Sequence, residues 1–329
     1  MIAAALLALA VSALACAVLV RHSDKLGLID VPNERSLHQK PVPRSGGIGL
    51  LAGICAGSAW LLSRDSSAPA WLWIAGIAAV AVAVVSLFDD YEDVPSWLRF
   101  GVHLAASATP FLAGVEFQVI NFPGHAVHLP LLGSIAFTVA FVVWYINFYN
   151  FMDGMDGFAG SMALIGFTTM SLLALRGDHL LFAGLTAAIA AAAAGFLLFN
   201  APPAKIFMGD VGSATLGFLA AFFTIWADHA GIFPVWIGVL AFSAFAIDAT
   251  VTLFRRLARR EKIWEAHRTH FYQRLVRSGW SHRKTTGWAV VLMLATSVSA
   301  LLLQDAPAVA GALALVAWVA VYTAIAWFV

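Results

Sequence analysis

Eleven apolar runs set the solvent of this chain before any single residue is considered. They fall at about residues 2–20, 46–62, 70–88, 100–115, 129–149, 158–175, 179–199, 212–229, 232–254, 286–303 and 306–328. Crossing bilayer hydrocarbon takes about 20 apolar residues as a helix. Lipid offers the backbone no hydrogen-bond partners, so isolated strands are excluded there. Only 11% of the residues are charged and 61% are hydrophobic, where a soluble domain carries about 25% charged. The expectation is an all-α polytopic integral membrane protein with about eleven transmembrane helices, forming a single domain over 1–329. Residues 1–20 have no basic stretch before the apolar run and no small-residue cleavage site before Arg21, so they are read as the first span. Cys16 and Cys55 lie in apolar stretches and are too few for a disulfide framework; both are expected to be small buried residues.

Charge then orients the chain. Of the 19 lysines and arginines, all but Arg64 and Arg176 fall in one set of alternating loops. The positive-inside rule places that set in the cytoplasm, with a periplasmic N-terminus and a cytoplasmic C-terminus. The cytoplasmic loops are then about 21–45, 89–99, 150–157, 200–211 and 255–285. Asp89, Asp90, Glu92, Asp93, Asp153, Asp156 and Asp210 fall on the same side. Carboxylates contribute little to the orientation rule, so their gathering needs another cause. An anionic substrate handled with a metal ion supplies one.

Four loops carry candidate chemistry. SLFDDYEDVPSWLRF places Asp89 and Asp90 at the end of the third span, where paired carboxylates raise one another's pKa or attract a cation; a solvated acidic turn reads equally well. Arg99 follows at the next helix start, where a phosphate could be met. WYINFYNFMDGMDGFAG places Asn147 and Asn150 at a span end and Asp153 and Asp156 in a doubled Asp-Gly. These side chains offer oxygen to a hard cation and hydrogen bonds to a base. A glycine turn capped by Asn and Asp explains the glycines but not two amides beside lipid. NAPPAKIFMGDVGSATLG puts Asp210 between glycines at a helix start, either as a metal or phosphate contact or as an N-cap.

RRLARREKIWEAHRTHFYQRLVRSGWSHRK is the longest and most basic loop. His267, Arg268 and His270 are candidate phosphate contacts there, against the alternative of a basic segment on anionic lipid. Two imidazoles without a cysteine argue against zinc. Asp248, inside the ninth span, is a functional candidate because ionisable groups are costly there; Arg255 or Arg256 could pair with it. The N-terminal DVPNERSLHQKPVPRSGGIG is a turning segment carrying Lys40, Arg44 and Ser45.

In order and loop placement, PVPRSGGIG, DDYED, NFMDGMDGFAG and NAPPAKIFMGDVGS resemble the polyprenyl-phosphate N-acetylhexosamine-1-phosphate transferase superfamily, glycosyltransferase family 4, over about residues 20–285. The resemblance implies a bacterial inner-membrane enzyme with its active site on the cytoplasmic face. Such an enzyme takes a UDP-sugar and undecaprenyl phosphate, with Mg²⁺ or alternatively Mn²⁺, and releases UMP. It makes Asp210 the principal metal ligand, assisted by Asn150. Asp89 or Asp90 becomes the base or orienter for the lipid phosphate, with Asp153 beside them in the catalytic set. Arg99 stands where other members often have lysine. Asn200, Asp156 and Phe207 match positions near the nucleotide base, and Lys40 and Ser45 match N-terminal loop contacts. Asn147, Lys205, His267, Arg268 and His270 complete the substrate set. The HRTHFYQRL loop looks closest to the branch using FucNAc or QuiNAc for O-antigen or capsule; a UDP-GlcNAc or peptidoglycan-precursor transferase is the alternative.

No covalent intermediate is required, though a two-step route through an aspartyl phosphate stays open. No nucleic-acid partner is expected, and a homodimer is left open. The alternative from another class is a polyprenyl-lipid transporter or flippase. It would place polar groups near the bilayer midplane, whereas here they sit at span ends.

Overall fold

A computed structural model describes residues 1–23, 28–30, 41–92, 94–262 and 267–329. Lys40 and Asp93, both part of the expected polar cluster, lie outside the described residues. In chain order the helices are α1 (Ile2–Arg21), α2 (Gly46–Leu62), α3 (Trp71–Tyr91), α4 (Ser96–Ala106), α5 (Thr109–Ala113), α6 (Leu131–Phe151) and α7 (Phe158–Arg176). Then follow α8 (Leu180–Asn200), α9 (Gly209–His229), α10 (Val235–Ala241), α11 (Ser243–Ala258), α12 (Phe271–Arg277), α13 (His282–Leu303) and α14 (Ala308–Phe328). Among the described residues, eight helices are long and apolar enough to cross a membrane, or nine if the bent α10–α11 pair counts as one span. The protein is a polytopic, helical membrane protein.

Three of the expected spans take another form. The second is α2, only 17 residues long. The fourth is interrupted between α4 and α5 at Ser107–Ala108. Pro110, at the start of α5, has no N–H to give to the preceding turn and its ring crowds that turn. The ninth bends by 86° between α10 and α11. At the break the Ser243 hydroxyl donates to the Leu240 carbonyl at 2.7 Å and meets the Tyr322 hydroxyl at 2.7 Å. A hydroxyl inserted into the carbonyl ladder is a recognised cause of kinks. The bend moves Asp248 from mid-span to the second turn of a separate helix.

Small residues let the backbones close up. Ala4, Ala8, Ser12 and Cys16 recur every four residues along the buried face of α1. They meet Gly49, Gly53 and Gly57 of α2, and Ala188, Ala192 and Gly195 of α8. Ser12 Oγ donates to the Ala192 carbonyl at 2.8 Å. Small residues in transmembrane helices give such close approach, with packing and interhelical hydrogen bonds as the cohesive terms. Cys16 is buried as expected, but Cys55 is exposed, on the face of α2 turned away from this seam.

The centre of the bundle is α9, whose most apolar stretch is 94% buried, against 11% for α14 at the periphery. It packs on α6, α3 and α2, so its N-terminus is fixed by three neighbours. Two small antiparallel ribbons depart from the all-α expectation. Ile29–Asp30 (β1) pairs with Val42–Pro43 (β2), and Val119–Phe122 (β3) pairs with His125–His128 (β4). The second turns at Pro123–Gly124, where Gly124 has φ +75°. That Pro-Gly dipeptide is the signal a helix-only reading overlooks.

Candidate active site

The polar cluster is assembled from three helix ends. The C-terminus of α3 brings Asp89 and Asp90, the end of α6 brings Asn147 and Asn150, and the N-terminus of α9 brings Asp210. A backbone zipper ties the start of α9 to the segment that enters α2. Phe207 N–H donates to the Pro43 carbonyl at 2.7 Å, Gly46 N–H to the Phe207 carbonyl at 2.9 Å, and Gly47 N–H to the Met208 carbonyl at 2.7 Å. At Gly209 φ is +72°, and a Cβ would lie 2.6 Å from the Arg44 carbonyl and 2.8 Å from Asp90 Oδ2. Only glycine accepts both the conformation and the crowding. This is the physical content of the GGIG and MGDVG segments.

The carboxylates have different surroundings. Asp90 is buried and faces the first amides of α9, Asp210 N–H and Val211 N–H, each 3.4 Å from its oxygens. An anion there complements the helix N-terminus. Arg44 reaches the Asp90 carbonyl with its guanidinium. Asp89, with its side chain 10% exposed, takes Arg99 Nη1 at 2.5 Å and Val94 N–H at 3.0 Å. Asp210 is 37% exposed and lies 3.9 Å from the same Arg99 nitrogen. Asn150 hydrogen-bonds the Asp210 carboxylate and donates to Ser213 Oγ at 3.1 Å. Asp153, in the α6–α7 turn, accepts from Gly209 N–H; burial first, then the charges of Asp210 and Asp90, push its carboxyl well above the usual range. A set of carboxylates this close is stable as anions only beside a cation.

Asp210 opens on a cavity of about 480 Å³, lined also by Arg99, Asn147, Asn150, His267 and His270. That volume suits a small-molecule site. Facing Asp210 is the wall carrying the two histidines. His270 is held by Asp248, with Nδ1 3.1 Å from Oδ1. Asp248 therefore has an imidazole partner, where the sequence suggested Arg255 or Arg256. Arg255 instead reaches the Ala326 carbonyl at 2.9 Å, and Arg256 pairs with Glu261 at 2.9 Å.

Other expected contacts are placed differently. Both polar atoms of the buried Asn200 amide bind backbone: Oδ1 accepts Gly157 N–H at 3.0 Å, and Nδ2 donates to the Ile206 carbonyl at 2.8 Å. Asp156 accepts Ala204 N–H at 3.1 Å and meets His282 Nδ1 at 3.2 Å, tying the proline loop to α13. Asn147 Nδ2 donates to the Val143 carbonyl of its own helix at 2.7 Å. Phe207 is engaged through its backbone in the zipper, Lys205 is exposed, and the Arg268 carbonyl accepts from Arg277 at 3.4 Å. Ser45 is 2% exposed, and among the described residues its hydroxyl has no hydrogen-bond partner, like the Nε of neighbouring Arg44. The sequence reading did not single out Gln273, which also lines the cavity, or Ser213. Ser213 lies one helical turn beyond Asp210, so the i, i+3 spacing was the signal available.

Among the described residues, no three Asp, Glu, His or Cys side chains form a ready-made metal cage. Mg²⁺ takes one or two carboxylates and completes its octahedron with water and substrate phosphates. The donors here are hard oxygens, which suit the same ion. The unpartnered Ser45 hydroxyl and Arg44 Nε beside the Asp90 anchor are further groups suited to a ligand's oxygens.

Oxygen donors and the Arg99 guanidinium at the ends of membrane helices open on one cavity, an arrangement suited to a phosphorylated substrate. Residues 72–228 match the model of glycosyl transferase family 4. The chain is 27% identical to the probable undecaprenyl-phosphate N-acetylglucosaminyl 1-phosphate transferase of Bacillus subtilis, covering 88% of this chain and 81% of that protein. It is 30% identical to the decaprenyl-phosphate N-acetylglucosaminephosphotransferase of Mycolicibacterium smegmatis, covering 79% and 71% respectively. It is 28% identical to the undecaprenyl-phosphate alpha-N-acetylglucosaminyl 1-phosphate transferase of Yersinia pestis, covering 84% and 76%. The chain belongs to glycosyl transferase family 4, within the polyprenyl-phosphate N-acetylhexosamine-1-phosphate transferases, and it is a sugar-phosphate transferase. The flippase alternative gives way to the enzyme.

Proposed function

We propose that this protein transfers an N-acetylhexosamine-1-phosphate from a UDP-sugar to undecaprenyl phosphate with Mg²⁺, giving undecaprenyl-diphosphate-sugar and UMP. The observation that carries this reading is Asp210, half-exposed to the cavity, with Arg99 3.9 Å away and the Asn150 amide on its carboxylate. An oxygen of the acceptor's phosphate forms a bond to the β-phosphorus of the donor. The bond from that phosphorus to the bridging oxygen breaks, and UMP leaves with the oxygen. Asp210 would hold the ion and Asn150 orient Asp210; when bound, Mg²⁺ supplies charge stabilisation to the phosphoryl oxygens. Arg99 neutralises the phosphates from the α4 side. One such preorganised donor contributes about 3–4 kcal/mol to transition-state stabilisation. Asp89 fixes Arg99, and Asp90 anchors the start of α9. Asp153, whose carboxyl is raised by burial and by the charges of Asp210 and Asp90, would take up or release a proton of the acceptor phosphate.

The acceptor's long apolar tail is the reason for a site at the ends of membrane helices. The lysine and arginine asymmetry supports a cytoplasmic site at the inner membrane. Counting α2, the α4–α5 pair and the α10–α11 pair as crossings supports the eleven-span topology. Among sugars, N-acetylglucosamine fits the relatives' activities best. FucNAc or QuiNAc, for O-antigen or capsule, rests on the HRTHFYQRL loop alone. The test is UMP release by the purified protein with undecaprenyl phosphate, Mg²⁺ and a panel of UDP-sugars. Release with UDP-GlcNAc alone supports the first sugar, and release with UDP-FucNAc or UDP-QuiNAc alone the second. No release with any sugar refutes the transferase reading.

A further inference from the structure

Asp248 has no task in the reaction above, yet it is 5% exposed in the second turn of α11. A buried carboxylate needs donors, and four supply them. Oδ1 accepts from Thr252 Oγ1 at 3.1 Å, from Phe271 N–H at 3.0 Å and from His270 Nδ1 at 3.1 Å; Oδ2 accepts from Tyr272 N–H at 3.3 Å. The backbone groups can only donate, and an ionised carboxylate can only accept. The proton between Asp248 and His270 therefore resides on His270 Nδ1. Nε2 is the remaining polar atom of a ring that lines the cavity with Asp210, Asn150 and Arg99.

His267, 4.8 Å away ring to ring, is set the other way. Thr269 N–H donates to its Nδ1 at 3.4 Å, and the Thr269 hydroxyl lies 2.9 Å from the same atom. Burial, then the neighbouring His270, lowers its pKa to about 4, so the ring is neutral near pH 7 with its proton on Nε2. Two adjacent imidazoles are thus held in opposite tautomers, a second-sphere effect common where a carboxylate fixes a histidine.

We propose that Asp248 is a positioning residue of the transferase: it locks His270 with Nδ1–H inward and Nε2 toward the cavity, where the neutral ring accepts a hydrogen bond from a hydroxyl or amide N–H of the sugar donor. The proposal rests on the transferase reading of the cavity.

The test has a spectroscopic arm and a kinetic arm. In the full-length protein labelled with ¹⁵N-histidine, with His270→Gln used for assignment, His270 should show a protonated Nδ1 and an unprotonated Nε2 at neutral pH. The opposite tautomer overturns the proposal, whatever reaction the enzyme catalyses. In kinetics, Asp248→Asn should lower kcat/KM about 10–100-fold, the range for lost second-sphere partners. Added to His270→Gln, it should cost no more than about a further twofold, because both act through one ring. Unchanged kcat/KM in Asp248→Asn, or multiplying losses in the double variant, overturns it. If Asp248→Asn does not fold, the wild-type spectrum still decides. If the wild type releases no UMP with any sugar, the transferase reading fails while the tautomer result stands.

Discussion

The acidic wall of the cavity is made from the ends of three long helices, whereas the imidazole wall is made from a loop and a seven-residue helix. Asp89, Asp90 and Asp210 sit where α3 and α9 meet, with the Asp90 carboxylate against the first amides of α9 and the same end of α9 tied by backbone hydrogen bonds to the entry to α2. His267 and His270 precede α12, and what holds them there includes Asp248 of α11. A wall built from close-packed helix ends positions charge with little freedom, as a metal and phosphates require. A wall hung on a loop varies more easily, which suits recognition of the part of the substrate that differs among relatives.

Substitutions on the two walls should therefore separate turnover from recognition. Asp210→Ala should have the largest effect, a fall in kcat of about 10³-fold or more, since it removes the exposed carboxylate proposed to hold the metal. Turnover at the wild-type rate, in an assay of UMP release, would dissolve the acidic wall as the chemical one. Arg99→Ala should lower kcat/KM about 100-fold, while Arg99→Lys should retain most of it by keeping the charge. If lysine fails as badly as alanine, the planar guanidinium matters beyond its charge.

Asn200→Ala tests the boundary between wall and scaffold. It leaves the Gly157 N–H and Ile206 carbonyl unpaired in a buried place, at about 1–3 kcal/mol for each group. Thermal stability in detergent should fall clearly, with KM for the UDP-sugar little changed. A raised KM at unchanged stability would return Asn200 to the base-binding role that the family resemblance implied.

The smallest effect belongs to pH and the imidazole wall. The pKa of His267 is lowered from 6.5 to about 4, so the folded state prefers its neutral form. Its contribution to stability is complete above about pH 6.5 and is lost as pH falls toward 4. His267→Gln should lose less thermal stability between pH 7.5 and 4.5 than the wild type, by about 1–2 °C. An equal loss would mean that the ring is not held neutral by its surroundings.

Much of the acidic wall was legible in the chain. Span ends could be read from apolar runs, and Asp89, Asp90, Asn150 and Asp210 from their place at those ends, Asp210 flanked by Gly209 and Gly212. The structure adds a division of labour that spacing does not contain. Asp90 faces the helix start and Asp210 faces the cavity, although both looked like exposed loop carboxylates. The family resemblance put Asn200 and Asp156 near the nucleotide base; in the structure Asn200 binds backbone on both sides, and Asp156 binds Ala204 N–H and the His282 ring. The interruption of α4–α5 announced itself through Pro110. The bend before Ser243 did not, because serine in an apolar helix is ordinary and its hydroxyl commonly bonds back without breaking the helix.

What the sequence by itself determined is the solvent, the helical class and the gathering of charge at span ends. These follow from local properties: run length, hydropathy and the cost of charge in lipid. The pairing of Asp248 with His270 and the inward turn of Asn200 were decided only by tertiary structure. The first joins residues 22 apart and the second joins Asn200 to Gly157, 43 residues away, and contacts at such separations leave no local pattern to read.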